Sequence, residues 1–321
     1  MQSAHIEMQP TVSVIIPCFN SGPLLEEAVE SVRAQEGDVR ILEIILVDDG
    51  STDSESLAVL ERCGRFEGVR VLINNRTKGP AGARNAGAAS AGGEWLAFLD
   101  ADDVWTPTSL TTRLEATPTN PGAGVISGDF QLLDMATGVT DSNFFQNRER
   151  PARYFGPAYT SSRPVSLPQP YLDVLRTAIC HVCGTLIRRT LFLDAGGFDE
   201  RLRYKEDHHL WFKLARLSDF ILVPRSVFLY RQHDSNMTHA KVAPFDYERL
   251  MLDLILSETP GADIAATIHQ RYPQGLIENA RWLRGEGKFG RAVTECAVGL
   301  WRYPTGWRLW QQLLGSALRL R

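Results

Sequence analysis

The sequence predicts an α/β fold: a Rossmann-like, mostly parallel sheet flanked by helices, followed by a C-terminal helical extension. Three observations predict it. Short apolar segments alternate with helical ones four times before the acidic run at Asp100. The carboxyl end of each apolar segment carries polar or acidic residues. From Phe245 onward the pattern is helical throughout.

Val12–Ile16 is a β-branched apolar run stopped by Pro17, as expected of a strand buried on both faces. Leu24 to Gln35 then places Leu25, Ala28, Val29 and Val32 on one helical face. Glu43–Val47 reads as the second strand, and Asp48-Asp49-Gly50-Ser51 as a turn. Leu57–Cys63 reads as a helix, Val69–Ile73 as the third strand, the alanine-rich Gly82–Ala91 as a helix and Trp95–Leu99 as the fourth strand. Such alternation gives a parallel sheet whose ligands bind at the carboxyl ends of the strands. Here those ends are Pro17-Cys18-Phe19-Asn20, Asp48-Asp49, Asn74-Asn75 and Asp100-Ala101-Asp102-Asp103.

Further strands are expected at Val125–Leu133, Val182–Ile187, Phe220–Val223 and Val227–Tyr230, with a helix over Asp207–Leu217. Residues 136–170 are rich in Thr, Ser, Pro, Arg and Asn without periodicity, and read either as a lid over a site or as a plain surface insertion. The domain boundary is placed at 240/241. Phe289–Tyr303 and Trp307–Leu320 read as a helical pair, either packing its tryptophans inward or presenting a docking surface to a membrane, a partner subunit or a lipid-linked acceptor.

With 321 residues and 44% hydrophobic content, the chain can bury one large α/β core plus an appendage. A net charge of −4 gives no general argument for nucleic acid as a partner. Five cysteines at irregular spacing read as reduced thiols, and Cys180-x-x-Cys183 lacks the second pair a zinc site needs. The first ten residues do not read as a signal peptide, and no apolar run approaches the ~20 residues of a membrane span. These features predict a cytoplasmic protein, attached at most peripherally to the inner face of a membrane. The first strand is followed by neither Gly-x-Gly-x-x-Gly nor a Walker loop, and His-Glu-x-x-His is absent. Dinucleotide oxidoreductases, P-loop enzymes and zinc hydrolases of that type are thereby disfavoured.

Two carboxylates one residue apart at a strand end, Asp100 and Asp102, can share a hard cation with a diphosphate. Acidic turns have the same composition, so the flanking Phe98-Leu99 and Asp103-Val104-Trp105 carry the specificity. Five segments, in order, resemble the inverting family 2 glycosyltransferases with the A-type fold: Val12–Asn20, Ile45–Asp53, Gly82-Ala83-Arg84-Asn85-Ala86-Gly87, Phe98–Asp103, and Glu206-Asp207 opening a helix. The resemblance covers roughly residues 11–235 and implies a catalytic nucleotide-sugar-binding domain over 1–240. It implies a UDP- or dTDP-sugar donor, a glycan or lipid-linked acceptor and Mn²⁺ or Mg²⁺. Pro17 and Phe19 would line the nucleobase pocket, Asn20 would belong to the nucleotide-sugar-binding set, Asp49 would accept from the base, and Asp48 would belong to the same set or form an Asx turn. Arg84 would face the base or diphosphate, and Asp100 the ribose or the metal's water shell. Asp102 would ligate the metal. Tyr230-Arg231-Gln232-His233 resembles a late Tyr-Arg-x-His segment, in which Arg231 would hold phosphate charge and His233 would complete the metal shell or touch the diphosphate. Asp207 would be the general base, with Glu206 adding a like charge beside it; both residues also suit a helix's first turn. Asp103 is expected to cap a helix ahead of Thr106-Pro107, and the Gly196-Gly197 loop to hinge. The alternative reading is a catalytically silent module that binds a nucleotide-sugar or a partner enzyme.

Overall fold

The computed structural model describes residues 9–141, 144, 163–233, 244–302 and 307–317. In chain order the elements are β1 (Thr11–Cys18), α1 (Leu24–Arg33), β2 (Arg40–Asp48), α2 (Ser54–Cys63), β3 (Val69–Ile73), α3 (Pro80–Ser90), β4 (Trp95–Phe98), β5 (Val104–Trp105), α4 (Ser109–Leu114), β6 (Val125–Asp134), β7 (Val165–Leu167), α5 (Tyr171–Arg176), β8 (Thr185–Arg188), α6 (Arg189–Asp194), α7 (Glu206–Leu217), β9 (Phe220–Gln232), α8 (Pro244–Glu258), α9 (Ala262–Gly285), α10 (Phe289–Arg302) and α11 (Trp307–Ala317).

The strands form one mixed sheet in the order β3-β2-β1-β4-β8-β6-β9-β5, with β7 on β9. The half from β3 to β4 is parallel, as the alternation of strands and helices requires. Val14, Ile15 and Ile16 of β1, Leu46 of β2 and Leu96 and Phe98 of β4 are fully buried, which explains why these strands read as unbroken apolar runs. In α1 the buried residues are the four expected ones.

Beyond β4 the sheet departs from the expected pattern. β8 runs antiparallel to both β4 and β6, and a 3₁₀ turn occupies Val182–Gly184, where a strand was expected to begin. Phe220–Gln232 is one strand of 13 residues rather than two. It pairs in parallel with β6, and its register jumps where Gly128 faces Val223 and Asp129 faces Ser226. That bulge keeps Pro224, which has no N–H to donate, out of the ladder. The two-residue β5 and three-residue β7 both pair antiparallel with β9 and are too short to show a period in sequence.

The pairing of β5 with β9 positions the site. Val104 lies opposite Leu229, so the loop that leaves β4 through Asp100–Asp103 is laid against the end of β9, at Arg231 and His233.

The chain divides into two compact units, one of Met1–Arg201 with Leu210–Asn236, the other of Leu202–His209 with Met237–Arg321. In the second unit α10 packs on both α9 and α11. Most of the 136–170 segment lies outside the described residues; within it β7 forms, and Thr140 bridges to Leu133. No helix among the described residues is long and apolar enough to cross a bilayer.

Candidate active site

The ends of β1 and β2 form one connected turn system. Asn20 adopts a left-handed backbone, φ 49°, and its Oδ1 accepts from the Thr52 N–H at 2.8 Å. Asp48 Oδ1 accepts from the Ser51 N–H at 2.9 Å, an Asx turn. Asp53 caps α2 by accepting from the Ser56 N–H at 2.8 Å. Asp48 and Asn20 thus hold the backbone in shape, whereas Asp49 points elsewhere. Its Oδ1 accepts from Asn74 Nδ2 at 2.5 Å and its Oδ2 from the Gly79 N–H at 2.8 Å. Gly79 has φ 130°, a backbone that side-chain-bearing residues avoid. Pro17 is half-buried, and Phe19 is exposed with Lys78 Nζ 4.2 Å from its ring centroid. Asn74 was placed among the polar residues at the strand ends, but Lys78 was not legible as a site residue, because it lies in a loop without periodicity.

At the end of β4, three carboxylates occupy four consecutive positions, and each has its own partner. Asp100 Oδ1 accepts from Arg84 Nη2 at 2.6 Å, with Arg84 only 4% exposed. Burial pushes the Asp100 carboxyl up, but the Arg84 guanidinium outweighs it and the net shift is downward. Asp102 Oδ2 lies 3.2 Å from His233 Nε2. Burial first and repulsion from Asp100 second raise the Asp102 carboxyl, and His233 opposes them. Asp103 is buried rather than capping a helix; the residue ahead of α4 is Thr108. Asp103 Oδ1 accepts from the Arg231 N–H at 3.0 Å and its Oδ2 from the Cys183 thiol at 3.2 Å. Burial, then Asp102 and Asp100, push it well above the usual carboxylate range.

Arg231 lies under this loop. It is 1% exposed and donates to the Asp102 carbonyl, to the Glu27 carboxylate and to the Leu24 carbonyl. The Asp100–Asp103 loop is therefore fastened to α1 and β9.

Two clusters bear on metal binding. Asp100, Asp103 and Cys183 have ligand atoms within 4.8 Å of one another. Their atoms are already joined by hydrogen bonds, however, and burial raises the thiol well above its usual range, so this is a closed clasp. Asp102 and His233 are partly exposed, with side chains 35% and 19% accessible. One carboxylate oxygen and one imidazole nitrogen are donors that a divalent cation could take.

The Gly196-Gly197 loop is pinned rather than hinged. Both glycines have positive φ. Asn85 brackets Phe198, donating to its carbonyl and accepting from its N–H, each at 2.9 Å. Lys213 Nζ donates to the Gly197 carbonyl at 2.6 Å. Glu200 closes the arrangement by accepting from Arg76 Nε at 2.6 Å, from Asn85 Nδ2 at 2.9 Å and from the Thr77 N–H at 3.2 Å.

In the second unit, Glu206 and Asp207 open α7 directly after Lys205, a non-glycine residue at φ 66°. Backbone strain of this kind gathers at functional sites. Glu206 is buried and Asp207 partly exposed. Asp207 Oδ1 accepts from the His208 N–H at 2.8 Å and lies 3.1 Å from His208 Nδ1. His209 is 1% exposed, with Nε2 3.1 Å from Glu258 Oε2, a contact within the second unit.

A family model described as glycosyl transferase family 2 matches residues 13–192. The chain belongs to this family. This family 2 chain is 29% identical over 244 residues to an uncharacterized glycosyltransferase of Rickettsia typhi, covering 75% of this chain and 70% of that one. It is 27% identical over 250 residues to the uncharacterized glycosyltransferase EpsJ of Bacillus subtilis, with 76% and 67% covered. A match of 36% identity over 115 residues is found with the succinoglycan biosynthesis protein ExoO of Rhizobium meliloti, covering 36% of this chain and 32% of that one. A longer Rickettsia felis relative is spanned over only 37% of its length. Among solved structures, S. aureus TarS 1–349 in complex with UDP-GlcNAc superposes with a TM-score of 0.62 at 18% identity, covering 95% of this chain and 89% of that one. The same TarS fragment with UDP gives 0.59 at 19% identity, with 95% and 88% covered. The fold expected from the sequence is thus borne out.

The Glu200 contacts give a pH prediction. Burial raises this carboxyl, but its hydrogen bonds to Asn85, Arg76 and Thr77 outweigh that and bring it down to about 2. An unfolded glutamate titrates near about 4.3, so the stabilisation is complete above that pH and is lost as pH falls through about 2. Glu200→Gln should lower stability by about 2 kcal/mol at pH 7, a typical value for charged hydrogen bonds, with the deficit shrinking below pH ~4. Chemical denaturation of both proteins across this range checks it.

Proposed function

We propose that this family 2 glycosyltransferase moves a sugar from a UDP- or dTDP-sugar to an acceptor hydroxyl, with inversion, in the synthesis of a cell-surface or other complex glycan. The observation that carries the reading is the separate partnering of the three carboxylates at the end of β4. Asp100 is held by Arg84 and Asp103 is buried, while Asp102 stands with His233 in a partly exposed position. UDP and UDP-GlcNAc are the ligands in the TarS complexes of like fold, and succinoglycan synthesis is the role named for the Rhizobium relative. Both support the donor and acceptor classes proposed here.

The base would lie against Pro17 and the exposed ring of Phe19. Uracil and thymine both carry an N3–H donor, and Asp49 would accept it. A carboxylate has about four lone-pair sites, so the bonds from Asn74 and Gly79 orient Asp49 without exhausting it. Asn20 and Asp48 would serve by shaping the loop that carries Asp49. Arg84 would orient Asp100 towards the ribose. A divalent cation, when bound, would neutralise charge on the departing diphosphate, with Asp102 and His233 as its protein ligands. Arg231 would act as a positioning residue, holding the Asp102 main chain in place.

Asp207 would accept the proton of the acceptor hydroxyl as its oxygen attacks the anomeric carbon. The new C–O bond forms opposite the bond that breaks, whose electron pair leaves with the nucleoside diphosphate. The sugar is thereby inverted. Glu206, buried beside Asp207, would keep the first turn of α7 in place.

The donor class is tested by thermal shift with UDP, dTDP, GDP, CMP and ADP, each with and without Mn²⁺. A ligand at 100 times its dissociation constant stabilises a fold by about 2.7 kcal/mol. A metal-dependent shift with UDP or dTDP alone is expected, and no shift with any nucleotide would favour the silent module. Asp207→Asn should leave nucleotide binding intact and reduce turnover by roughly 100-fold or more. Full turnover in that variant would remove Asp207 as the base.

A further inference from the structure

The C-terminal helices carry a feature that sugar transfer does not use. Helix α10 turns Ala292, Cys296 and Leu300 inward, and all three are buried. Its opposite side ends in Val298 and Trp301, spaced i and i+3, with Trp301 88% exposed. On α11, Trp310 and Leu314 repeat the arrangement at i and i+4, at 49% and 59% exposure. Exposed single apolar residues are ordinary, but a tryptophan this open, with a second exposed aromatic–aliphatic pair on a helix that contacts its own, is not.

The charge around these helices indicates what could cover them. Residues 281–321 hold eight Arg and Lys against two Glu, a net of +6 in a chain whose total is −4. Arg281 and Lys288 of this segment are exposed. Two copies meeting through this segment would bring two net-positive segments together, which disfavours a symmetric dimer. An anionic bilayer offers both complements. Its headgroups attract the basic side chains, and its interface is where the amphipathic ring of tryptophan settles.

We propose that the exposed stripes of α10 and α11 form a peripheral docking surface for anionic lipid membranes. Trp301 and Trp310 enter the headgroup region, and the net positive charge of this segment supplies the preference for negative lipid. The inference is independent of which nucleotide-sugar the enzyme uses.

Co-sedimentation of the full chain with lipid vesicles tests it. Vesicles of phosphatidylcholine with about one-third phosphatidylglycerol should bind the protein at least ~10-fold more tightly than pure phosphatidylcholine, and about 0.5 M salt should weaken that binding. Trp301→Ser combined with Trp310→Ser should abolish the binding, and Lys288→Glu should weaken it, with circular dichroism checking that each variant is folded. Equal binding to both vesicle types, or none by the folded protein, would overturn the proposal. So would a dimer in sedimentation velocity that Trp301→Ser dissociates while no vesicle binding is seen, which would assign the face to a second copy.

Discussion

The structure is organised around a problem of charge. Asp100, Asp102 and Asp103 follow a buried strand within four positions, where carboxylates repel one another and burial disfavours their ionised forms. Each is answered by a different part of the chain. Arg84 comes from α3 and pairs with Asp100. The main chain of β9 and the thiol of Cys183 take Asp103. His233, just past β9, takes Asp102. The sheet order makes this possible, since β5 returns the loop to β9 immediately after Asp103. Asp100 and Asp102 are both partly exposed, but Asp100 is held by the Arg84 guanidinium whereas Asp102 lies against the His233 imidazole, and the reading of the site follows from that difference.

The same logic runs through the supporting contacts. Arg231 fixes the Asp102 carbonyl and reaches back to Glu27 and Leu24 of α1. Asn85, adjacent to Arg84, fastens the glycine loop through Phe198. Groups at the site are therefore held by residues whose own side chains are buried and bonded, which is what preorganisation of a polar site requires.

Much of this was legible in the sequence, and the limits have physical causes. The parallel half of the sheet announces itself because strands buried on both faces must be continuously apolar. The acidic loop and the turn at Asp48–Asp53 are legible because their chemistry is local. Asp48 as an Asx turn was foreseen as a reading, whereas the acceptance of bonds by Asp49 from Asn74 and Gly79 was not. The role of Asp103 was not, since its partners Arg231 and Cys183 are 128 and 80 residues away and pairing at that distance leaves no local mark. Glu200 was hidden for the same reason, as its partners lie in α3 and the loop before it. The single long β9 was obscured by Pro224, which looks like a strand end until the bulge opposite Gly128–Asp129 accommodates it. The outward Trp301 runs against the inward packing that an amphipathic helix ordinarily suggests.

The most direct test of the central claim is titration calorimetry of UDP binding, with and without Mn²⁺, in the natural protein and in Asp102→Asn. Mn²⁺ is expected to tighten UDP binding by at least about ten-fold in the natural protein and to have no effect in the variant, whose metal-free affinity is retained. Equal Mn²⁺ enhancement in both proteins would contradict the assignment of Asp102 as the metal-facing carboxylate.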